Sequence, residues 1–387
     1  MDVKPILDTE SLFATVADLV SINSVNPAYP GGPGEGALAD YVGEYCRHYS
    51  LPYELQPVFE GRPNVIARLE GEPGGPTLIL EAHMDTASEL GMNHKPFQPV
   101  RNGNRLYGRG SCDTKAGLAA MMHAMRILKQ AGIRPHASVI LVAAVDEEHS
   151  FRGVVKFIEK GIKAEGAIVA EPTDMETVVA SKGCLRWRIR TRGRAAHSSK
   201  PQIGINAISK MMKIMAAMDE TFPEPFAGRR HPLVGSPTVN VGIISGGRQV
   251  NQVPDWCTID IDRRLIPGET KAAVWKEFES LIADLRARDP ELEVEMEAPM
   301  LEDYPLETVA SARIVQVIAK VSQELTGQHH AVGVPYGSDA SKLAQAGTPS
   351  VILGPGNIDQ AHAADEWVEL DQVSLAAEVY ARTILEF

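Results

Sequence analysis

Four short apolar runs in this chain each lead into a residue that can bind a cation or move a proton. His83 closes LILEAHMD, Glu147 and Glu148 close LVAAVDEEHS, Glu171 closes AIVAEPT, and His362 follows VILGPGNIDQAH. A further acid, Asp113, lies in the glycine-rich loop GRGSCDTKAG just ahead of a helical pattern. Unpaired charge at the end of a buried strand is costly to desolvate. Three or more converging carboxylates would also raise one another's pKa values. A divalent cation removes both costs, and mixed His and carboxylate donors suit zinc. One carboxylate shared by two cations ~3.5–4 Å apart is the arrangement used in two-metal hydrolysis. Taken singly these signals are weak: a lone His after a strand is usually a satisfied structural histidine, and a lone DEE is usually a solvated loop. Their coincidence at matched strand ends is what argues against a purely structural role. His94, His123, His149, His329 and His330 have no comparable context.

Competing chemistries lack their motifs. There is no G-x-S-x-G, so no nucleophile elbow is signalled, and no H-E-x-x-H for a single-zinc helix site. GRGSCDTK is not a dinucleotide fingerprint, because Asp113 stands where the third glycine should be, and it lacks P-loop spacing.

For the candidate side chains to meet, the runs that precede them must lie side by side. Segments 64–69, 77–80, 138–145, 167–170 and 350–353 are short, apolar and rich in β-branched residues, as in strands buried on both faces. Helical spacing predicts helices over 11–20, 35–48, 116–130, 151–160, 310–325 and 341–346, with a stop signal at Gly132. This alternation predicts an α/β catalytic domain, with a mostly parallel open sheet and helices on both faces. Ligands bind such sheets beyond the carboxyl ends of the strands, where the candidate residues are expected.

Between 182 and 298 the texture changes. Leu185, Trp187 and Ile189 alternate with Arg186, Arg188 and Arg190, so one strand face is apolar and the other basic. A helix over 203–218 carries Met211, Met212, Met215 and Met218, a stripe read as core. Strands over 238–244 and 255–263, a helix over 271–288, and alternation of Leu292, Val294 and Met296 with glutamates complete a β-α-β-β-α-β order, the ferredoxin-like pattern. The expected organisation is one domain, 1–181 with 299–387, interrupted by an inserted α+β domain over 182–298, roughly 115 residues and a normal domain size.

The 387 residues are 44% hydrophobic and 23% charged, the composition of a globular chain of two or three domains. Asp and Glu total 50 against 38 Lys and Arg, a formal charge of −12. That balance argues against a nucleic-acid partner, including one held by the arginine strand. No run approaches the ~18 consecutive apolar residues of a membrane helix. The N-terminal MDVKPILDTESLF carries acids and a proline where a signal peptide needs an apolar core. Cys46, Cys112, Cys184 and Cys257 form no CxxC pair, which fits a reduced cytoplasmic setting.

On these residues, nearly the whole chain resembles the co-catalytic zinc aminoacylase and carboxypeptidase family, which includes acetylornithine deacetylase, succinyl-diaminopimelate desuccinylase and glutamate carboxypeptidase. The resemblance implies two zinc ions, with cobalt or manganese as substitutes. His83 and Glu171 would hold one and Glu148 and His362 the other, with Asp113 between them, Asp85 orienting His83 and Glu147 as general base. Ala116 is a mild departure, since the family often has a second glycine there. GRAAHSSKPQIGINAI, 193–208, resembles the family's lid signature, in which His197 would donate to the tetrahedral oxyanion, in many members across a dimer interface. Asn251 in NQVP and Arg264 in DRRLIPG resemble the segment that grips the substrate carboxylate, for which the planar arginine fork is suited. Strand alternation sends the adjacent Arg263 to the opposite face, expected to be an outer face with a salt bridge. The resemblance further implies a homodimer joined through the inserted lid domain, acting on a small N-acyl amino acid or short peptide; the cysteine usage, charge and hydropathy above give the expectation of a cytoplasmic chain with no nucleic-acid or membrane partner. The phrasing GPGNIDQAH is most similar to acetylornithine deacetylase; desuccinylation and di- or carboxypeptidase activity are alternatives within the family. A non-catalytic binding protein on the same fold is the alternative of another class. Against it stands the complete set of five ligands with Glu147.

Overall fold

The computed structural model describes residues 3–223, 226 and 228–387; Met1 and Asp2, at the head of the acidic N-terminal segment, lie outside it. The chain divides into two compact units: Met1–Val179 with Glu307–Gly333 and Ser338–Phe387, and Ala180–Leu306 with Val334–Gly337. In chain order, the first stretch holds α1 (Thr9–Ser21), α2 (Gly36–His48), β1 (Tyr53–Phe59), β2 (Arg62–Leu69), β3 (Thr77–His83), β4 (Val100–Asn102) and β5 (Arg105–Tyr107). It continues with α3 (Ala116–Gln130), β6 (Ser138–Ala144), α4 (Arg152–Ile158), β7 (Gly166–Val169) and β8 (Thr177–Ser181). Then follow β9 (Gly183–Arg192), α5 (Ala207–Thr221), β10 (Thr238–Gly246), β11 (Trp256–Leu265), α6 (Lys271–Arg288), β12 (Glu293–Met296) and β13 (Leu301–Asp303). The chain closes with β14 (Leu306–Glu307), α7 (Arg313–Thr326), β15 (Ala331–Val334), α8 (Ala340–Gln345), β16 (Ser350–Ile352), β17 (Trp367–Glu369) and α9 (Leu370–Glu386).

In the first unit the sheet runs in the order β1-β2-β6-β3-β7-β16-β8. Its centre, β6-β3-β7-β16, is parallel. The flanking pairs β1–β2, β2–β6 and β16–β8 are antiparallel, so the sheet is mixed rather than mostly parallel. The reason is local: β1 and β2 are joined by a tight turn at Gly61 (φ 69°), and so short a link can only reverse the chain. Pro57 is tolerated in β1 because that strand lies at the sheet edge.

The central strands read as continuous apolar runs because both faces are covered. Val65, Ala67, Leu78, Leu80, Leu141 and Ile168 enter the core cluster shared with α1, α2, α3, α7 and α9. Their alternate neighbours Ile66, Ile79, Ile140, Ala167 and Val169 are also buried, on the side where α4 packs against α8. Burying a side chain such as Leu141 contributes ~1.5–3 kcal/mol. Helix α9 runs against α3. It lies outside the helices expected from the sequence, although Val373, Ala376, Ala377, Tyr380, Ala381 and Ile384 recur at helical spacing and are all buried.

In the second unit the strands run β10-β11-β9-β12, each neighbouring pair antiparallel, and β13 also pairs with β9. That last pairing carries the unit past residue 298. Helices α5 and α6 pack with Leu185, Trp187, Ile189, Ile259 and Ile261; Trp187 meets Phe278 edge-on at 4.7 Å. Met211 and Met218 belong to this core, whereas Met212 is exposed. On the opposite face each arginine of β9 has an acid: Arg186–Asp262, Arg188–Asp260, Arg190–Glu297 and Arg192–Glu295. The basic stripe is thus neutralised within its own unit. The four cysteines are buried and free. Among the described residues no helix is long and apolar enough to cross a membrane.

Candidate metal centre

The parallel strands β3, β6, β7 and β16 end together, and the residues just beyond them form the centre. His83 is the last residue of β3. After β6 the backbone enters the left-handed region at Asp146 (φ 71°), which an aspartate tolerates better than most residues. The turn is fixed by Ser150 Oγ donating to Asp146 Oδ2 at 2.5 Å and by Asp146 N donating to Glu35 Oε1 at 2.9 Å. Glu147 and Glu148 follow. After β16 the chain passes so close to its neighbours that only glycine fits: a Cβ at Gly354 would lie 2.6 Å from the Glu171 carbonyl oxygen. One at Gly356 (φ 90°) would lie 2.4 Å from Cys112 Sγ.

Two groups of donor atoms result. His83, Glu147 and Glu171 form one, and Asp113, Glu148 and His362 the other, with ligand atoms in each within 4.8 Å of one another. Asp113 faces both groups: its Oδ1 is 3.0 Å from His83 Nε2 and its Oδ2 is 3.4 Å from His362 Nε2. His362 Nε2 also lies 3.0 Å from Glu148 Oε2, and His83 Nε2 lies 4.0 Å from Glu171 Oε2. His83 Nδ1 is 2.9 Å from the Asp85 carbonyl oxygen, a pure acceptor, so that nitrogen carries the proton and Nε2 is directed into the centre. His362 side chain is 54% exposed, so the second group is open to solvent.

Asp85 is fully buried and does more than face His83, 3.6 Å away. Its Oδ1 accepts the backbone N–H of Glu147 at 3.1 Å, and its Oδ2 accepts that of Glu148 at 3.1 Å and Asn26 Nδ2 at 2.7 Å. It therefore sets the backbone of both glutamates.

Electrostatics fit a cation. Burial, then the charges of Glu148, Asp113 and Asp85, push Glu147 up to about 8. Burial raises Glu148, and burial with the charge of Asp113 raises Glu171 well above the carboxylate range. Against the opposing cost of burial, His362 and His83 hold Asp113 well below it. Asp113 and Glu148 in turn push His362 up to about 10. These acids can share the space as anions only with compensating positive charge, from protons or from a cation. Imidazole and carboxylate donors converging as two groups around one shared carboxylate fit a pair of divalent cations.

The remaining sequence candidates lie in the second unit. His197 is exposed in the loop between β9 and α5, with Nδ1 2.8 Å from Ser199 Oγ. It neighbours Asn251, whose carbonyl accepts the N–H of Ser198 at 3.0 Å. Arg264 is elsewhere in the unit: its Nε donates to Asp262 Oδ1 at 2.9 Å, on the face of the arginine stripe. Arg263 is the buried one of the pair, not an outer-face residue. It bridges to Glu269 at 2.6 Å and lies over the Phe226 ring. The register explains this, since Arg263 sits opposite the core residue Leu185 and Arg264 opposite Cys184.

Three supporting groups go unread in the sequence. Asn26 ties Asp85 to Asp146, donating to each. The pair Arg62–Glu35 holds the N–H of Asp146. Glu366, paired with Arg109, anchors the Asp113 loop. The turn of Pro and Gly after Asn26 marks a loop, but no spacing in one sequence marks the partner of its side chain.

A sequence model of Peptidase family M20/M25/M40 matches residues 79–386. The chain is 28% identical over 397 residues to an acetylornithine deacetylase of Myxococcus xanthus, covering 97% of each. It is 26% identical over 404 residues to a Staphylococcus aureus (strain MSSA476) protein named "Probable succinyl-diaminopimelate desuccinylase", covering 96% of each. Among solved structures it matches the Bacillus subtilis YXEP protein, described as a dinuclear metal-binding peptidase from the M20 family. That match has a TM-score of 0.75 at 16% identity, over 99% of this chain and 98% of that one, and is a likeness of fold.

Proposed function

The chain belongs to Peptidase family M20/M25/M40 and is a hydrolase acting on amide bonds; on that premise we propose that it removes the acyl group from an N-acyl amino acid at a two-zinc centre, in the manner of an acetylornithine deacetylase. The observation that carries this reading is Asp113 standing between two donor groups with Glu147 beside it. Similarity across nearly the full length of relatives named for deacetylation and desuccinylation supports it.

When bound, a pair of zinc ions supplies a Lewis acid for the scissile carbonyl and a more acidic water. His83 and Glu171 would hold one ion, Glu148 and His362 the other, and Asp113 both. Glu147 takes the proton of the attacking water and returns it to the leaving amine, the work of a partly buried carboxylate with raised affinity for protons. Asp85 keeps Glu147 and Glu148 in register through their N–H groups. His197 donates a hydrogen bond to the oxyanion, a stabilisation worth orders of magnitude in rate. Asn251 and Arg264 grip the substrate carboxylate; for this Arg264 exchanges its Asp262 partner for the substrate.

The first unit is read as the catalytic domain and the second, which extends the expected 182–298 to Ala180–Leu306 with Val334–Gly337, as a ferredoxin-like lid, a reading supported by the strand order β10-β11-β9-β12 with two helices on one face. A homodimer through that lid is supported by edge strand β10, which exposes Ile243 and Ile244. Free, buried cysteines support a cytoplasmic site of action.

The test is hydrolysis of N-acetyl- and N-succinyl-amino acids and of dipeptides, before and after chelation. The reading expects chelator-sensitive release of acetate from at least one N-acetyl-amino acid. Cleavage of dipeptides alone would move the assignment to a peptidase, and no cleavage of any amide would overturn it.

A further inference from the structure

Glu366 is fully buried, yet it is the end of an exposed loop, 361–365, that carries His362. Its carboxylate meets four donors. Oε1 accepts the N–H groups of Cys112 at 2.9 Å and Asp113 at 3.1 Å. Oε2 accepts Arg109 Nη1 at 2.7 Å and the N–H of Gly110 at 2.9 Å. The Glu366 carbonyl takes a fifth bond, from the N–H of Gly108 at 3.1 Å. One side chain therefore shapes the loop that presents Asp113, while its own chain presents His362 four residues earlier.

We propose that Glu366 is a positioning residue for cation binding: it locks the Asp113 loop to the His362 loop, and so bears most strongly on the Asp113–Glu148–His362 group. This rests on the two-cation reading above. Of the two proposed ligand sets, His83–Glu171–Asp113 draws one residue from the segments that Glu366 joins, whereas Asp113–Glu148–His362 draws two. Asn93 holds the His362 loop independently, at the carbonyl of Ala364 and the carboxylate of Asp365, so the loop retains an anchor when Glu366 is changed.

Glu366→Gln keeps the size of the side chain but has one acceptor where four donors point, so its amide group faces two of them donor to donor. Removal of groups that orient metal ligands costs ~10–100-fold in affinity. The experiment is titration of metal-stripped protein with cobalt(II), followed by its visible absorption. Wild type is expected to take up two equivalents. Glu366→Gln is expected to take up one equivalent ~10–100-fold more weakly and the other with a smaller loss, with hydrolysis recovering as cobalt is raised. Glu366→Asp, which keeps the charge with a shorter reach, is expected to show the same unequal weakening to a smaller degree, and carries the test if the Gln variant does not fold. Equal weakening of both equivalents would show a merely structural role and overturn the proposal; so would unchanged affinity for both. If wild type itself takes up no cobalt, the two-cation reading fails and this inference with it.

Discussion

Replacing Asp85 by asparagine separates positioning from ligation, because the side chain keeps its shape and loses half its acceptors. Asp85 uses both oxygens, one for the N–H of Glu147 and the other for the N–H of Glu148 and for Asn26 Nδ2. An asparagine oxygen can serve the Glu148 and Asn26 side; its amide then points at the Glu147 N–H, donor against donor. The reverse orientation leaves two donors facing the amide and is worse. A buried donor left unpaired costs ~1–3 kcal/mol. That penalty falls on the backbone N–H of the proposed base, next in the chain to a proposed ligand. At 1.4 kcal/mol per tenfold, the expected loss is about 5- to 150-fold in kcat/KM, with metal affinity falling ~10–100-fold. The assay is steady-state hydrolysis of the best N-acyl-amino acid, with zinc affinity measured by chelator competition. Wild-type turnover together with wild-type zinc affinity in Asp85→Asn would refute the reasoning.

Glu147→Gln is expected to retain bound metal while losing ~10²–10⁴ in kcat; metal analysis and kinetics on one preparation check it, and near-normal turnover removes Glu147 as the base. A third expectation concerns folding rather than catalysis. His123 on α3 is fully buried with no hydrogen-bond partner for either ring nitrogen among the described residues, and burial, aided by Arg126, pushes it down to about 3. An unfolded histidine titrates near about 6.5, so between those values the unfolded state binds more protons and stability falls as pH falls. The loss from this group at about pH 4.5 is ~2–3 kcal/mol. Denaturant unfolding of wild type and His123→Phe across that window checks it: the substitution should remove that share, and parallel pH curves would contradict it.

Much of the first unit was legible because its central strands are buried on both faces and therefore show as unbroken apolar runs, each with a polar residue at or beyond the end. Helices α3 and α6 were readable to the residue from spacing and stop signals. Strand β1 escaped notice because, as an edge strand, it mixes polar residues with Pro57 and lacks a buried pattern. The mixed sheet was not readable, since strand direction depends on how short links reverse the chain, and apolar runs carry no direction. At the centre, the residues beyond strand ends could be named, whereas Asn26, Glu35 and Glu366 could not. Each acts on a partner 59 to 257 positions away, and only the folded chain brings them together. The arginines of β9 show the converse: their alternation was plain, but their acids on β11, on β12 and just beyond it were needed to show that the stripe is internally paired.

The central claim is that five side chains gather two divalent cations on which hydrolysis depends. Its most direct test is to measure metal content and activity on the same sample as cation is stripped and restored. The account predicts two equivalents per chain, activity lost in step with their removal, and recovery when zinc is returned. Undiminished hydrolysis by metal-free protein, or a chain that takes up no divalent cation at all, would contradict it.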